Sequence, residues 1–495
     1  MVTLKIRKVA VLFGITAIMG VASCKKFITI DEPKDSITMP KMFRTDQLAE
    51  AALLGIYNSM VHGPAKDDYT ITPAQAYLRA YGGGLSTYAG GLCGGEFVEA
   101  YNTRTLADLN KFFSYSYWYS AYNVIYLANS VIEGIEGSTS NNLTSRARKQ
   151  FTAEAKLLRA FSYLYLIQYF GDVPLVLTID FNATKQLKRT PGRQVYEYIL
   201  ADLLTAYQQL EETYPATGQQ RIRANKWTAA ALLARTHLYL EQYEKAADYA
   251  TEVINNSDTY QLETLENVFL AGSKEAIFQL QQTNSDSELR NATAEGYYFL
   301  PSPLHEGMAR ISFSSQFLQV FEKGDLRRQV WVDSTYQTIF GGSPNKTFYP
   351  AKYKVGRDAS ELGMPALENT MVLRLGEQYL IRAEARAHGV DGGVQGALDD
   401  LNHIRKRAGL PALPVSLSQT ALQNAVWQER KVELMAEWGH RWVDLRRAGL
   451  ASQELSKLPL NQPWLGDYQL LFPIPSEEIK ANKNLIQNPG YTQVF

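Results

Sequence analysis

The chain runs to 495 residues, with 50 Lys+Arg against 50 Asp+Glu, 45% hydrophobic and 20% charged residues. Zero formal charge speaks against a nucleic-acid or polybasic membrane partner, since both show as an excess of Lys and Arg. High apolar content at nil net charge excludes intrinsic disorder, and two cysteines cannot carry a disulfide framework or a Cys-rich zinc site.

The first 23 residues read as an address. Lys5, Arg7 and Lys8 form a basic start, and Val9 to Val21 an apolar run too short to span a bilayer. It ends on Val21-Ala22-Ser23-Cys24, which resembles the bacterial lipobox. The expectation is a lipoprotein signal peptide over 1–23, with Cys24 acylated and the mature chain anchored by lipid. Removing three basic residues leaves the mature chain at 47 against 50, mildly acidic.

Residues 24–60 hold a polar lead-in and a first helix capped by Thr45, with Leu48, Ala52 and Ile56 on one stripe. Residues 61–108 break the pattern with paired and tripled glycines interleaved with Tyr81, Tyr88 and Tyr101. A loop of that length is usually functional or mobile. Helical periodicity returns over 109–135 and 146–170. Within 109–257 and again within 371–495, two stretches read as tetratricopeptide-like helix pairs, Trp227–Ile254 and Met371–Ala408, where alanines and tyrosines alternate at helical spacing. Tyr163, Tyr165, Tyr169, Tyr196, Tyr198, Tyr239 and Tyr243 are therefore expected in the core. Between the pairs, 258–370 is an irregular insert. It starts with a short strand at Ala276–Leu280, and a binding surface would be elaborated there. Trp331 is expected in the core.

Several motifs then fall in a specific order. Glu154 and Arg159 precede Gly171-Asp172-Val173-Pro174. Arg374 and Glu377 precede Arg405 and Gly409. Glu429-Arg430, Glu433, Glu437, Arg441 and Asp444 follow, and the chain closes on Asn488-Pro489-Gly490-Tyr491. With the lipobox, this order resembles the SusD/RagB family of outer-membrane nutrient-binding lipoproteins over essentially the whole mature chain. The resemblance implies a mostly α fold, with four tetratricopeptide-like helix pairs supporting an irregular ligand-facing half, as one domain over 24–495. It implies a non-enzymatic protein on the outer face of the outer membrane that passes captured oligosaccharides or peptides to a SusC/RagA-like TonB-dependent transporter, with no cofactor. Lys25-Lys26-Phe27 stands where an acidic pair directly after the cysteine accompanies surface export in lipoproteins of that family's phylum, the Bacteroidetes; Asp31-Glu32 come later.

Glu429, Glu433 and Glu437 recur every four residues, as on one side of a helix, with Arg430, Arg441, Arg446 and Arg447 close in sequence. Such carboxylates could serve as the acid and base of a glycosidase. Beside guanidinium groups they more often form ion pairs, which depress their pKa values. The motif positions thus read as architecture. Ligand contacts must be sought where an aromatic face can meet a sugar ring with polar groups at its rim. The candidates are Tyr81, Tyr88, Tyr101, Asn102 and Arg104 in the first loop, then Tyr297, Tyr298 and Tyr336 in the insert. Six histidines show no metal-ligand spacing, so no metal is expected. Two rivals remain open: a helical surface glycosidase, and a tetratricopeptide scaffold that binds only protein.

Overall fold

The fold is described from a computed structural model over residues 39–62, 85–87, 114–282, 289–302, 309, 311–313, 315–337, 344–359, 363–457, 464 and 466–491. Helix α1 (Asp46–His62) starts as the sequence predicts, with the Leu48 N–H donating to Thr45 Oγ1 at 3.3 Å. A short strand, β1 (Leu85–Thr87), follows, and then helix α2 (Ser114–Glu136). Helix α3 (Ser145–Phe170) is capped by Thr144 and packs against α1 and α2. From Leu157 to Phe170 every residue of α3 is buried. A helix buried on every side over half its length belongs in the middle of a body, and α3 is that middle.

Helix α3 stops at Gly171, whose φ of 72° only glycine adopts readily. Strand β2 (Val173–Pro174) then pairs with β3 (Arg189–Thr190) and returns the chain to helix α4 (Gly192–Gln209), which packs on α3. Helix α5 (Lys226–Tyr239) begins with a reciprocal cap between Asn225 and Thr228. Its alanines 229, 230, 231 and 234 are all fully buried, which lets α4 and α6 (Tyr243–Asn255) approach closely.

The insert comes next. Strand β4 (Ala276–Leu280) leads to the short helix α7 (Ala294–Phe299), strand β5 (Ile311–Phe313) and the hairpin of β6 (Val332–Gln337) with β7 (Asn345–Pro350). Strand β8 (Thr370–Arg374) closes the excursion by pairing antiparallel with β4. It occupies the start of the stretch expected to be helical from Met371. Strand β1 pairs with β5, so part of the first glycine-rich region is a strand on the insert.

Helices α8 (Leu375–Ala387), α9 (Gly393–Arg407), α10 (Gln419–Glu433) and α11 (His440–Arg447) complete the chain. Helix α8 packs on α6, although α6 ends at Asn255 and α8 begins at Leu375. Ile381 lies in one cluster with Ala234, Leu238, Ala246 and Ala250, and the Tyr243 ring stacks on His388 at 4.1 Å. The break between the helix pairs in sequence is therefore no break in space: the insert loops out and the stack closes beneath it.

Most of the tyrosines assigned to this stack are buried, and Tyr163 shows why the residue suits it. Its ring packs in the main core while its hydroxyl donates to Val176 O at 2.9 Å and accepts from Val176 N at 2.7 Å. Tyr198 departs from expectation. It lies on the outer face of α4 and is 46% exposed, because the inward stripe of that helix is Val195, Ile199, Leu203 and Ala206. Trp331 is fully buried, as expected, and donates from its indole to Leu265 O at 2.8 Å.

One buried contact couples the two halves of the stack. Arg235 on α5 grips Glu377 on α8 through two bonds of 2.7 and 2.6 Å, with Tyr165 Oη and Val372 O completing its shell. Arg235→Ala is expected to cost about 3–5 kcal/mol, because Glu377 would remain buried without its partner, whereas replacing both residues by leucine should restore most of the loss. Urea midpoints of the single and double variants measure this.

Candidate functional site

The three glutamates that could have formed a catalytic pair sit in the interior. Glu429 and Glu433 lie on α10, which ends at Glu433; Glu437 belongs to the turn that follows. The carboxylates still converge, because that turn doubles back through Ala436 (φ 55°), Trp438 (φ 39°) and Gly439 (φ 67°). All three are almost wholly buried.

Their partners come from far along the chain. Arg374, at the corner between β8 and α8, donates to Glu433 at 2.7 Å, to Glu437 at 2.8 and 2.9 Å, and to Glu275 at 2.8 Å. Arg327 donates to Glu429 at 2.5 Å and Glu433 at 3.0 Å, and is itself held by Asp325. Arg407 bridges Glu433 and Glu275, and Arg405 joins Glu429 to Glu322. Lys352 pairs with Glu437 and lies 4.4 Å from the centre of the Trp331 ring. Gly376 is required against this cluster: a Cβ there would stand 2.5 Å from Arg374 Nη1 and 2.8 Å from Glu275 Oε1.

The arginines nearest in sequence have other duties, which corrects the expected pairing. Arg430 takes Asp444 at 2.9 Å, Arg447 takes Asp444 and Glu384, and Arg446 donates to the Gln168 carbonyl. Arg441 lies half-buried beside Asp444, and its burial lowers its pKa. The electrostatic expectation holds for two carboxyls of three. Although burial opposes ionisation, Arg407, Arg374 and Arg327 hold Glu433 well below the usual carboxylate range, and Arg374 and Lys352 lower Glu437. For Glu429, burial outweighs the arginines and raises the carboxyl.

The remaining motif positions are also architecture. Glu154 accepts from Tyr57 Oη at 2.6 Å and from Arg223; Arg159 is bidentate to Asp202 at 2.8 and 2.9 Å. Asp172 accepts from the Gly192 N–H at 2.9 Å, and the Pro174 carbonyl accepts from Tyr122. Asn488 donates to the carbonyls of Phe170 and Phe472, and Tyr491 to that of Leu471. Between them, Pro489 leads into Gly490, whose φ of 85° and closeness to the Tyr468 ring leave no room for a Cβ.

The ligand candidates divide. Cys24, Tyr81, Tyr88, Tyr101, Asn102 and Arg104 lie outside the described residues. Tyr297 and Tyr298 do not stand on an open loop: they belong to α7, are 5% and 8% exposed, and pack edge to face at 4.8 Å in the second hydrophobic cluster. Helical spacing in so short a run was not readable among the surrounding polar residues. Tyr336 stands on a strand with its ring open to solvent. It is 69% exposed on β6, opposite Lys346, with half-buried Phe348 on the same face of the hairpin.

Protonating Glu433 and Glu437 must weaken the fold. Their depressed pKa values mean that their contribution is complete above the ordinary value of 4.5 and is lost as pH falls through the folded values. Glu433→Gln is expected to cost about 3–5 kcal/mol at pH 7, with the gap to the parent narrowing below about pH 4. Denaturant titrations between pH 7 and pH 3 give both numbers.

Two family models match the chain, one described as SusD family over residues 318–491 and one as starch-binding associating with outer membrane over residues 97–240. A SusD-like protein of Formosa agariphila is 30% identical over 430 residues, covering 79% of this chain and 83% of its own length. The starch-binding protein SusD of Bacteroides thetaiotaomicron is 24% identical over 444 residues, covering 73% and 76%. A solved SusD superfamily structure from the same species superposes with a TM-score of 0.74 at 26% identity, covering 90% of this chain and all of that one. The overall fold agrees with that solved structure, and the chain belongs to the SusD family.

Proposed function

We propose that this protein is a lipid-anchored receptor of the outer membrane that binds oligosaccharides and hands them to a TonB-dependent transporter. The observation that carries the reading is the fate of the acidic motif. In a SusD-family chain that matches a family model and a relative described as starch-binding, its best candidate acid and base are buried and tied to guanidinium groups. A glycosidase needs two carboxyls facing a substrate cleft about 5–9.5 Å apart, and Glu433 and Glu437 are spent on arginines instead. The exposed Tyr336 supports ligand capture, since an aromatic face with polar neighbours suits a sugar ring. The lipobox residues Val21 to Cys24 support the anchor.

Tyr336→Ala should weaken oligosaccharide binding several-fold in calorimetry while leaving thermal stability unchanged, because the ring is open to solvent. Hydrolysis of the bound oligosaccharide by the purified chain would refute the receptor reading. Cys24→Ala should move the protein from the membrane fraction to the soluble fraction, and unchanged membrane retention would overturn the anchor.

A further inference from the structure

Among the arginines that follow the acidic motif, Arg441 is the one without a task. Arg430 and Arg447 spend their donors on Asp444 and Glu384, and Arg446 spends one on the Gln168 carbonyl. Arg441 is half-buried, yet among the described residues it makes no hydrogen bond and no ion pair. Lys431, in the last turn of α10, is half-buried and makes none either.

The two cations lie within each other's field. Burial, and after it the charge of Arg441, lower the Lys431 ammonium to about 8. The acids that act on the pair are already engaged, Asp444 by Arg430 and Arg447, and Glu454 by Lys457 at 3.5 Å. Architecture accounts for one of the two cations at most. The negative end of a helix dipole favours a cation in the last turn, which suits Lys431 on α10. Arg441 stands in the first turn of α11, at the positive end, where a cation is disfavoured. Two like charges held together and half out of water cost free energy that an anion between them would recover. Both side chains keep part of their surface in solvent, so an anion from outside can reach them.

We infer that Lys431 and Arg441 form a binding site for a phosphate group brought from outside the chain. Charge matching selects the class: a phosphate monoester is close to doubly negative at neutral pH and balances two cations, whereas a carboxylate leaves one unbalanced. The donors suit it as well. A planar guanidinium takes two oxygens side by side, and an ammonium meets a third as a point charge. Two sources carry this chemistry, a phosphorylated soluble molecule and a lipid headgroup. The site stands apart from Tyr336 and does not depend on the oligosaccharide-receptor reading.

The test uses the full chain in detergent, with inorganic phosphate as the probe and acetate as the control at matched ionic strength. Phosphate should raise the melting temperature by a few degrees, and its phosphorus NMR line should broaden when protein is added. Lys431→Met and Arg441→Met should each weaken phosphate binding about tenfold, the effect of losing one charge-assisted contact. Without phosphate, Lys431→Met should melt at or above the parent temperature, because it relieves a repulsion, and it keeps the test readable if Arg441→Met folds poorly. Sedimentation of the Cys24→Ala chain with phosphatidate vesicles, abolished by Lys431→Met, would assign the phosphate to a headgroup; phosphate binding without sedimentation would assign it to a soluble molecule. No stabilisation and no line broadening in the parent, or parental phosphate affinity in the variants, would overturn the site. Acetate binding as tight as phosphate would overturn the phosphate assignment.

Discussion

The guanidinium of Arg374 is the point at which the three parts of this protein meet. It stands where β8 becomes α8, and it holds Glu275 at the root of β4, Glu433 at the end of α10 and Glu437 in the turn beyond. The first of these contacts closes the base of the insert, and the other two bind that base to the C-terminal helices. Arg327 and Lys352 add further ties from the insert to α10 and its turn, and Arg405 and Arg407 add the contribution of α9. Once these charges are buried together, none can leave alone, because each departure strands a partner in a poorly polarisable interior.

An apolar cluster of equal volume could be as stable, so the ion pairs are better understood through what they specify. Apolar packing tolerates sliding and repacking, whereas bidentate bonds admit one register. The turn after α10 shows the consequence. Ala436 and Trp438 both have positive φ, which side-chain-bearing residues adopt at a cost. Glu437 between them is fastened on two sides, and Trp438 is wedged against Phe161 and Tyr165. Glycine would adopt the backbone at Trp438 freely, and here ring packing offsets the strain.

Much of the helical frame could be read from the chain. Helix periodicity located α1, α2 and α3, and small residues located the α5–α6 and α8–α9 pairs. The failures share one physical origin. Glu429, Glu433 and Glu437 were paired in sequence with Arg430, Arg441, Arg446 and Arg447 by proximity, yet they bond to Arg327, Arg374, Arg405 and Arg407, as only the closed fold could reveal. Tyr297 and Tyr298 were placed on a loop because a six-residue helix has too few turns to display a period.

The motif residues that identify the family point inward, and this separates recognition of the family from recognition of the ligand. Glu154, Arg159, Glu433 and Asn488 spend their hydrogen-bonding capacity on arginine, aspartate and main-chain groups of the same chain. A residue so committed cannot also select a sugar. Under the receptor reading proposed above, selectivity would reside in side chains that the scaffold leaves uncommitted, such as the exposed ring of Tyr336. These groups can change without disturbing a single buried ion pair. A fixed interior beneath an adjustable face lets one fold carry different exposed side chains.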